Sequence, residues 1–130
     1  QKIFTTIDAY ISGSLDDGLL QITGKPSQGI SLQDAESAIW KELERLKTVP
    51  VEETELEKVK NRYESEQIFN NLNYLNVATN LAYFELIGQA ENINKEVEKY
   101  RAVTAGQIQK AARQTFVPEN CSILYYLAEQ

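Results

Sequence analysis

Apolar and polar residues alternate from the first positions of the chain. Ile3, Thr5, Ile7 and Ala9 fall on one side of an extended backbone, and Phe4, Thr6, Asp8 and Tyr10 on the other. A period of two, with β-branched and aromatic residues, predicts a strand over Ile3–Ile11. The turn formers of SGSLDDG come next, and Asp-Gly ahead of a new apolar run signals a hairpin. A second strand is predicted over Leu19–Lys25, ended by Pro26, Ser27 and Gly29 and able to pair antiparallel with the first. The period then lengthens. Leu32, Ala35, Ile39, Leu43 and Leu46 recur at helical spacing, a stripe that starts at Ser31 with Asp34 in a capping-box-like position and stops at Pro50. Trp40 lies beside that stripe, where it suits the edge of a core.

Thr54 and Glu57 form T-x-x-E and predict the start of a second helix, lined by Leu56, Val59 and Tyr63, with Ile68 and Phe69 near its end. The Asn-rich NNLN interrupts it, because Asn favours caps and turns over helix interiors. A third helix over Tyr74–Ile87 is apolar nearly all round, so it is expected to be buried or at an interface, with Gly88 as its C-terminal cap. A short fourth helix carries Ile93, Val97 and Tyr100. Thr104 and Gln107 box the start of a fifth, whose Ile108, Ala111, Ala112 and Phe116 face inward before Pro118. Alternation returns over Cys121–Leu127, a predicted last strand. The order β-β-α-α-α-α-α-β predicts an α+β fold, a mainly antiparallel sheet with helices on one face, in a single domain over residues 1–130.

Composition narrows the function classes. A chain of 130 residues buries roughly two-thirds of its unfolded surface and needs neither disulfide nor metal to fold, and the one cysteine, Cys121, cannot bridge within the chain. The net charge of −6 disfavours nucleic acid as a partner, since phosphate neutralisation needs clustered Lys and Arg. The charges intersperse along helical stretches such as KELERLK, as a solvated face does. No apolar run approaches the ~20 residues of a membrane span. The most informative count is zero histidine. Hydrolytic zinc sites nearly always use His, and Ser–His and Cys–His nucleophile systems require it. No Gly-rich phosphate loop is present. Asp16–Asp17 read as turn residues, with a hard cation as the alternative. Tyr63, Tyr74, Tyr83 and Tyr100 fall at or near helix stripes and read as packing residues, while Tyr125 and Tyr126 must face opposite sides of a strand. The residues alone therefore describe an α+β domain with no visible catalytic apparatus.

Three stretches together resemble the C-terminal domain of a half-unit in the pitrilysin/insulinase-like zinc peptidases, the family of the mitochondrial processing peptidases. AYISGSLDDGLLQITGKPSQGISLQDAESAIWKELERL is similar to the family's paired strands and following helix, VPVEETELEKVKNRYESE to the helix opening V-s-x-x-E-L-x-x-x-K, and YRAVTAGQIQKAARQTFVPENCSILYYL to the closing helix and strand. The resemblance implies a clamshell of two homologous half-units. One half carries H-x-x-E-H and binds zinc; the other usually lacks a working metal site and cradles the peptide. This chain has no H-x-x-E-H, so zinc is expected in the catalytic half of the parent or a partner and none in this chain. The implied partners are a preceding domain of a longer parent, a second half-unit and a peptide substrate.

The implied role is noncatalytic peptide cradling within a zinc-dependent metalloendopeptidase. Aligning on Gly18–Leu19 puts Phe4 where family members often hold a substrate-contacting Tyr; the ring is kept, but the hydroxyl that would assist an oxyanion is lost. If the first strand offers an edge to an extended peptide, Phe4, Thr6 and Asp8 are the candidate substrate-binding residues. Two alternatives stay open: a structural or assembly subunit of the same fold without proteolysis, and an unrelated small α+β ligand-binding domain.

Overall fold

The computed structural model describes residues 2–13 and 18–127. The Asp16–Asp17 pair lies outside the described residues. The alternating segments form β1 (Phe4–Ile11) and β2 (Leu20–Pro26), paired antiparallel in a two-stranded sheet. Its register separates the side chains cleanly. Ile7 opposes Gly24, Ala9 opposes Ile22 and Ile11 opposes Leu20, which makes one face apolar; Thr6 opposes Lys25, Asp8 opposes Thr23 and Tyr10 opposes Gln21, which makes the other polar. The Tyr10 hydroxyl donates to Gln21 Oε1 at 3.0 Å across the polar face.

The regular ladder breaks between Phe4 and Thr6. Phe4 opposes Pro26 and Thr6 opposes Lys25, so two steps on β1 match one on β2 and Thr5 is the extra residue of a β-bulge. Pro26 has no N–H to donate, which is why pairing turns irregular here. Beyond it, Ser27 N–H donates to Ile3 O at 2.9 Å and Ile30 N–H to Ser27 O at 3.1 Å. Gly29 sits in that turn at φ 81°, a conformation that suits glycine at the third position of a type II turn.

The described residues group into two compact units, Gln1–Thr48 with Ala112–Gln130, and Val49–Ala111. In the first, helix α1 (Leu32–Thr48) lies on the apolar face of the sheet. Its start is fixed as its residues require: Ser31 Oγ accepts from Asp34 N–H at 3.0 Å and donates to Asp34 Oδ2 at 2.7 Å. Ala35 is buried, and Ile39, Leu43 and Leu46 are half-buried. Trp40, half-buried, donates from Nε1 to Glu36 Oε1 at 3.2 Å. The far end of α1 is tied to the returning chain, because Lys47 Nζ donates to Phe116 O at 3.2 Å and Arg113 Nε to Lys47 O at 2.8 Å.

The predicted last strand is corrected here. Cys121–Leu127 joins no ladder among the described residues. The backbone at Cys121 is extended (φ −114°, ψ 136°), and the Tyr125 hydroxyl donates to the Glu36 carboxylate, yet Leu124 and Tyr126 are 88% and 89% exposed. Alternation decides which side chains share a face, but a strand also needs a neighbouring backbone to satisfy its amides, and among the described residues the hairpin pairs only with itself.

The second unit is helical. Helix α2 (Glu53–Asn70) begins with Glu52 as its cap residue, which makes no side-chain cap hydrogen bond, so the predicted Thr54–Glu57 box does not start it. Glu57 serves a different partner: Arg101, at the end of α4 (Glu96–Arg101), donates to Glu57 Oε2 at 3.1 Å, to Asn61 Oδ1 at 2.7 Å and to Glu64 Oε2 at 3.0 Å. Those three acceptors lie on one face of α2. Beside them Tyr63 and Tyr100 stack, ring centroids 3.6 Å apart. Helix α3 (Tyr74–Ile87) is capped by Asn73, whose Oδ1 accepts from Leu75 N–H at 2.9 Å. It is apolar all round but not buried among the described residues, and Tyr74 is 91% exposed. Only the stripe of Val77, Asn80 and Phe84 is half-buried, the stripe that meets its neighbours within the unit. A 3-10 turn (Ala90–Lys95) leads into α4. Helix α5 (Ala105–Thr115) starts with the reciprocal box its residues predict: Gln107 Oε1 accepts from Thr104 N–H at 2.8 Å, and Thr104 Oγ1 accepts from Gln107 N–H at 3.3 Å.

Candidate functional site

Between the apolar face of the hairpin and α1 lies a hollow of about 520 Å³. Ile3, Phe4, Ile7 and Ile22 line it from the sheet, and Ile39 and Leu43 from the helix, with Asp8, Lys41 and Glu42 also contributing. The large apolar side chains come from both periodicities of the sequence, two on β1 and three-to-four on α1. Several stay partly open to solvent: Ile3 is 37% and Ile7 49% exposed.

The bulge decides how the three candidate peptide contacts sit. Strict alternation groups Phe4 with Thr6 and Asp8. The extra residue at Thr5 turns Phe4 to the opposite, α1-facing side, together with Ile7 and Ala9. There its ring covers Gly24, so closely that a Cβ on Gly24 would stand 2.8 Å from Phe4 Cε1 and 3.0 Å from Cδ1. Thr6 and Asp8 remain exposed, on the polar face with Tyr10, Thr23 and Lys25. The register thus groups Thr6 with Asp8 and sets Phe4 on the other face, while Asp8 borders the same hollow as Phe4. Gly24 is the site residue that alternation alone does not reveal. Its signal in the sequence is a glycine inside a β pattern, which often marks a close approach of another group.

β1 is hydrogen-bonded to β2 along one edge, and no described residue pairs with its other edge. That edge carries backbone donors and acceptors next to an apolar hollow on one side and hydroxyl, carboxylate and ammonium groups on the other. Such an arrangement can hold an extended chain by main-chain hydrogen bonds while alternate side chains enter the hollow. Among the described residues it holds no nucleophile–base pair. A zinc ion does not fit these residues either: the chain has no histidine, and no three metal-ligating side chains converge among the described residues.

The fold is that of domains found in zinc proteases. Over 98% of its length the chain superposes, with a TM-score of 0.83 and 18% identity, on 70% of a protein from Bordetella pertussis Tohama I assigned as a zinc protease. It superposes equally far, with a TM-score of 0.82 and 18% identity, on 70% of the inactive peptidase domain of a protein from Bordetella parapertussis with the same assignment. A protease from Helicobacter pylori matches 86% of the chain at a TM-score of 0.77 and 15% identity, over 27% of its own length. At the level of sequence, neither the family models nor the curated proteins give a match.

Proposed function

We propose that this chain is a noncatalytic, peptide-cradling domain of a zinc-dependent metalloendopeptidase of the pitrilysin/insulinase-like type, the C-terminal domain of one half-unit. The observation that carries the reading is a pairing. The fold matches zinc-protease domains, one of them described as inactive, across 98% of the chain, while the chain contains no histidine with which to ligate zinc. A domain of this kind contributes by shape: β1 offers an edge for an extended peptide, the hollow under Phe4 receives an apolar side chain, and Thr6 and Asp8 meet the side chains that point the other way. Zinc and the attacking water belong to the partner half. Phe4 donates no hydrogen bond, so it shapes the hollow and does not stabilise an oxyanion.

The test is reconstitution. A two-half assembly containing this chain, loaded with zinc, is expected to cleave unstructured peptides in a chelator-sensitive way, and Phe4→Ala is expected to raise KM more than it lowers kcat. An assembly that turns over no member of a broad peptide library refutes the reading.

A further inference from the structure

The pairing of the hairpin decides which backbone groups the free edge of β1 presents. In an antiparallel pair, residues alternate between those that bond the partner strand through both N–H and C=O and those that turn both groups away from it. Ser12 stands one step past the Ile11–Leu20 pair and donates its N–H to Leu19 O at 3.0 Å, so Ser12 and Leu19 are of the bonded kind. Counting back along the register, Tyr10, Asp8 and Thr6 direct their backbone groups to Gln21, Thr23 and Lys25. Ile7, Ala9 and Ile11 turn theirs outward, where no described backbone meets them.

The same count fixes the side chains of a guest. A strand added antiparallel at this edge bonds Ile7 and Ala9 with two of its residues, whose side chains then fall on the face of Ile7 and Ala9, beside the hollow lined by Phe4, Ile39 and Leu43. The guest residue between them opposes Asp8 as a non-bonded pair, the closer of the two kinds, with its side chain on the polar face.

Charge selects that middle residue. Asp8 is exposed and makes no ion pair among the described residues. Lys25, the one cation that the register puts on this face, sits a diagonal step from Asp8, roughly 7–8 Å away. It belongs to β2, two strand spacings or about 10 Å from a guest at the β1 edge, a distance over which salt screens most of its repulsion. On the opposite face Lys41 and Glu42 both border the hollow, so their opposite charges set no net preference there.

We propose that the peptide held at β1 is an extended segment of apolar–basic–apolar pattern. Its two apolar residues bond the backbone of Ile7 and Ala9 and face the hollow, and a Lys or Arg between them meets the Asp8 carboxylate. The inference rests on the peptide-cradling reading and adds to it a register and a sequence preference.

The full chain, labelled with 15N, is titrated with three capped pentapeptides, Thr-Val-Lys-Val-Thr, Thr-Val-Gln-Val-Thr and Thr-Val-Glu-Val-Thr. Binding is expected to slow hydrogen exchange at the amides of Ile7 and Ala9, while those of Asp8 and Tyr10, already bonded to β2, change little. Affinity is expected to fall in the order Lys, Gln, Glu, by about tenfold from first to last, since an opposite-charge cross-strand pair gives way to a like-charge one. Asp8→Lys is expected to reverse that order. Should the variant unfold, methylated peptides decide on the unaltered chain: methyl groups on both valine nitrogens, which face β1, are expected to abolish binding, and one on the lysine nitrogen, which faces away, to be tolerated. Equal affinity for the three peptides, an order that folded Asp8→Lys leaves unchanged, or binding indifferent to which nitrogens are methylated overturns this inference, and slowed exchange at Ile7 and Ala9 would then still uphold the cradle. No slowing at Ile7 and Ala9 with any peptide overturns the cradle reading and this inference with it.

Discussion

Gly24 and Phe4 pack against each other beside the hollow, and their coupling has a definite sign. Replacing Gly24 by Ala places a methyl 2.8 Å from Phe4 Cε1, closer than carbon atoms approach without displacement. The ring must swing away, and what it surrenders sets the cost. A Phe side chain buries roughly 150–250 Å² when enclosed. Phe4 is half-buried, so about 100 Å² is at stake, about 2.5 kcal/mol at ~25 cal/mol per Å² if all of it were lost. The hollow beside the ring is open enough for part of that contact to be recovered, which leaves an expected cost of about 1–2 kcal/mol for Gly24→Ala, in the ordinary range for overpacking. In a Phe4→Ala background the obstacle is gone, and Gly24→Ala is expected to be neutral or slightly stabilising because it stiffens the unfolded chain. The double-mutant cycle should therefore show a coupling of about 1–2 kcal/mol. Trp40, the single tryptophan, stands on α1 in the same unit and reports unfolding of this region by fluorescence in urea. Additive costs for the two substitutions would refute the bulge-dependent placement of Phe4 over Gly24.

Further outcomes follow from the helical unit. Arg101→Ala removes the shared donor of Glu57, Asn61 and Glu64; a modest fall in melting temperature is expected that shrinks in 1 M salt, where screening reaches within ~3 Å, and a salt-independent fall would assign the effect to packing. Asn73→Ala removes the cap that accepts from Leu75 N–H and is expected to cost about 1 kcal/mol in urea unfolding, with Asn73→Ser recovering most of it. Tyr63 titrates at about 12 in the folded chain against an ordinary 10.0. Its phenol keeps its proton longer folded than unfolded, so its contribution to stability is whole below pH 10 and is lost as pH rises through about 12. Absorbance titration of the phenolates should show a step near pH 12 that Tyr63→Phe abolishes, while Tyr125, also raised above the ordinary value by its hydrogen bond to Glu36, still ionises late in that variant.

Local periodicity and local caps carried much of this protein. The hairpin, the α1 stripe from Leu32 to Leu46, the span of α3 from Tyr74 to Ile87 and the boxes at Ser31 and Thr104 all depend on residues a few positions apart, so they can be read directly from the chain. The zero histidine count likewise bounds the chemistry by composition alone. What tertiary structure decided are the relations between distant segments. Glu57 fits a helix start by spacing alone, but its carboxylate accepts from Arg101, some forty positions away. Cys121–Leu127 has the alternation of a strand and joins no ladder among the described residues, because pairing is a property of two backbones and not of one. Phe4 alternates with Thr6 and Asp8 on paper; the amide-less Pro26 on the opposite strand shifts the register, and that single residue turns the ring to the other face, over Gly24 and into the hollow.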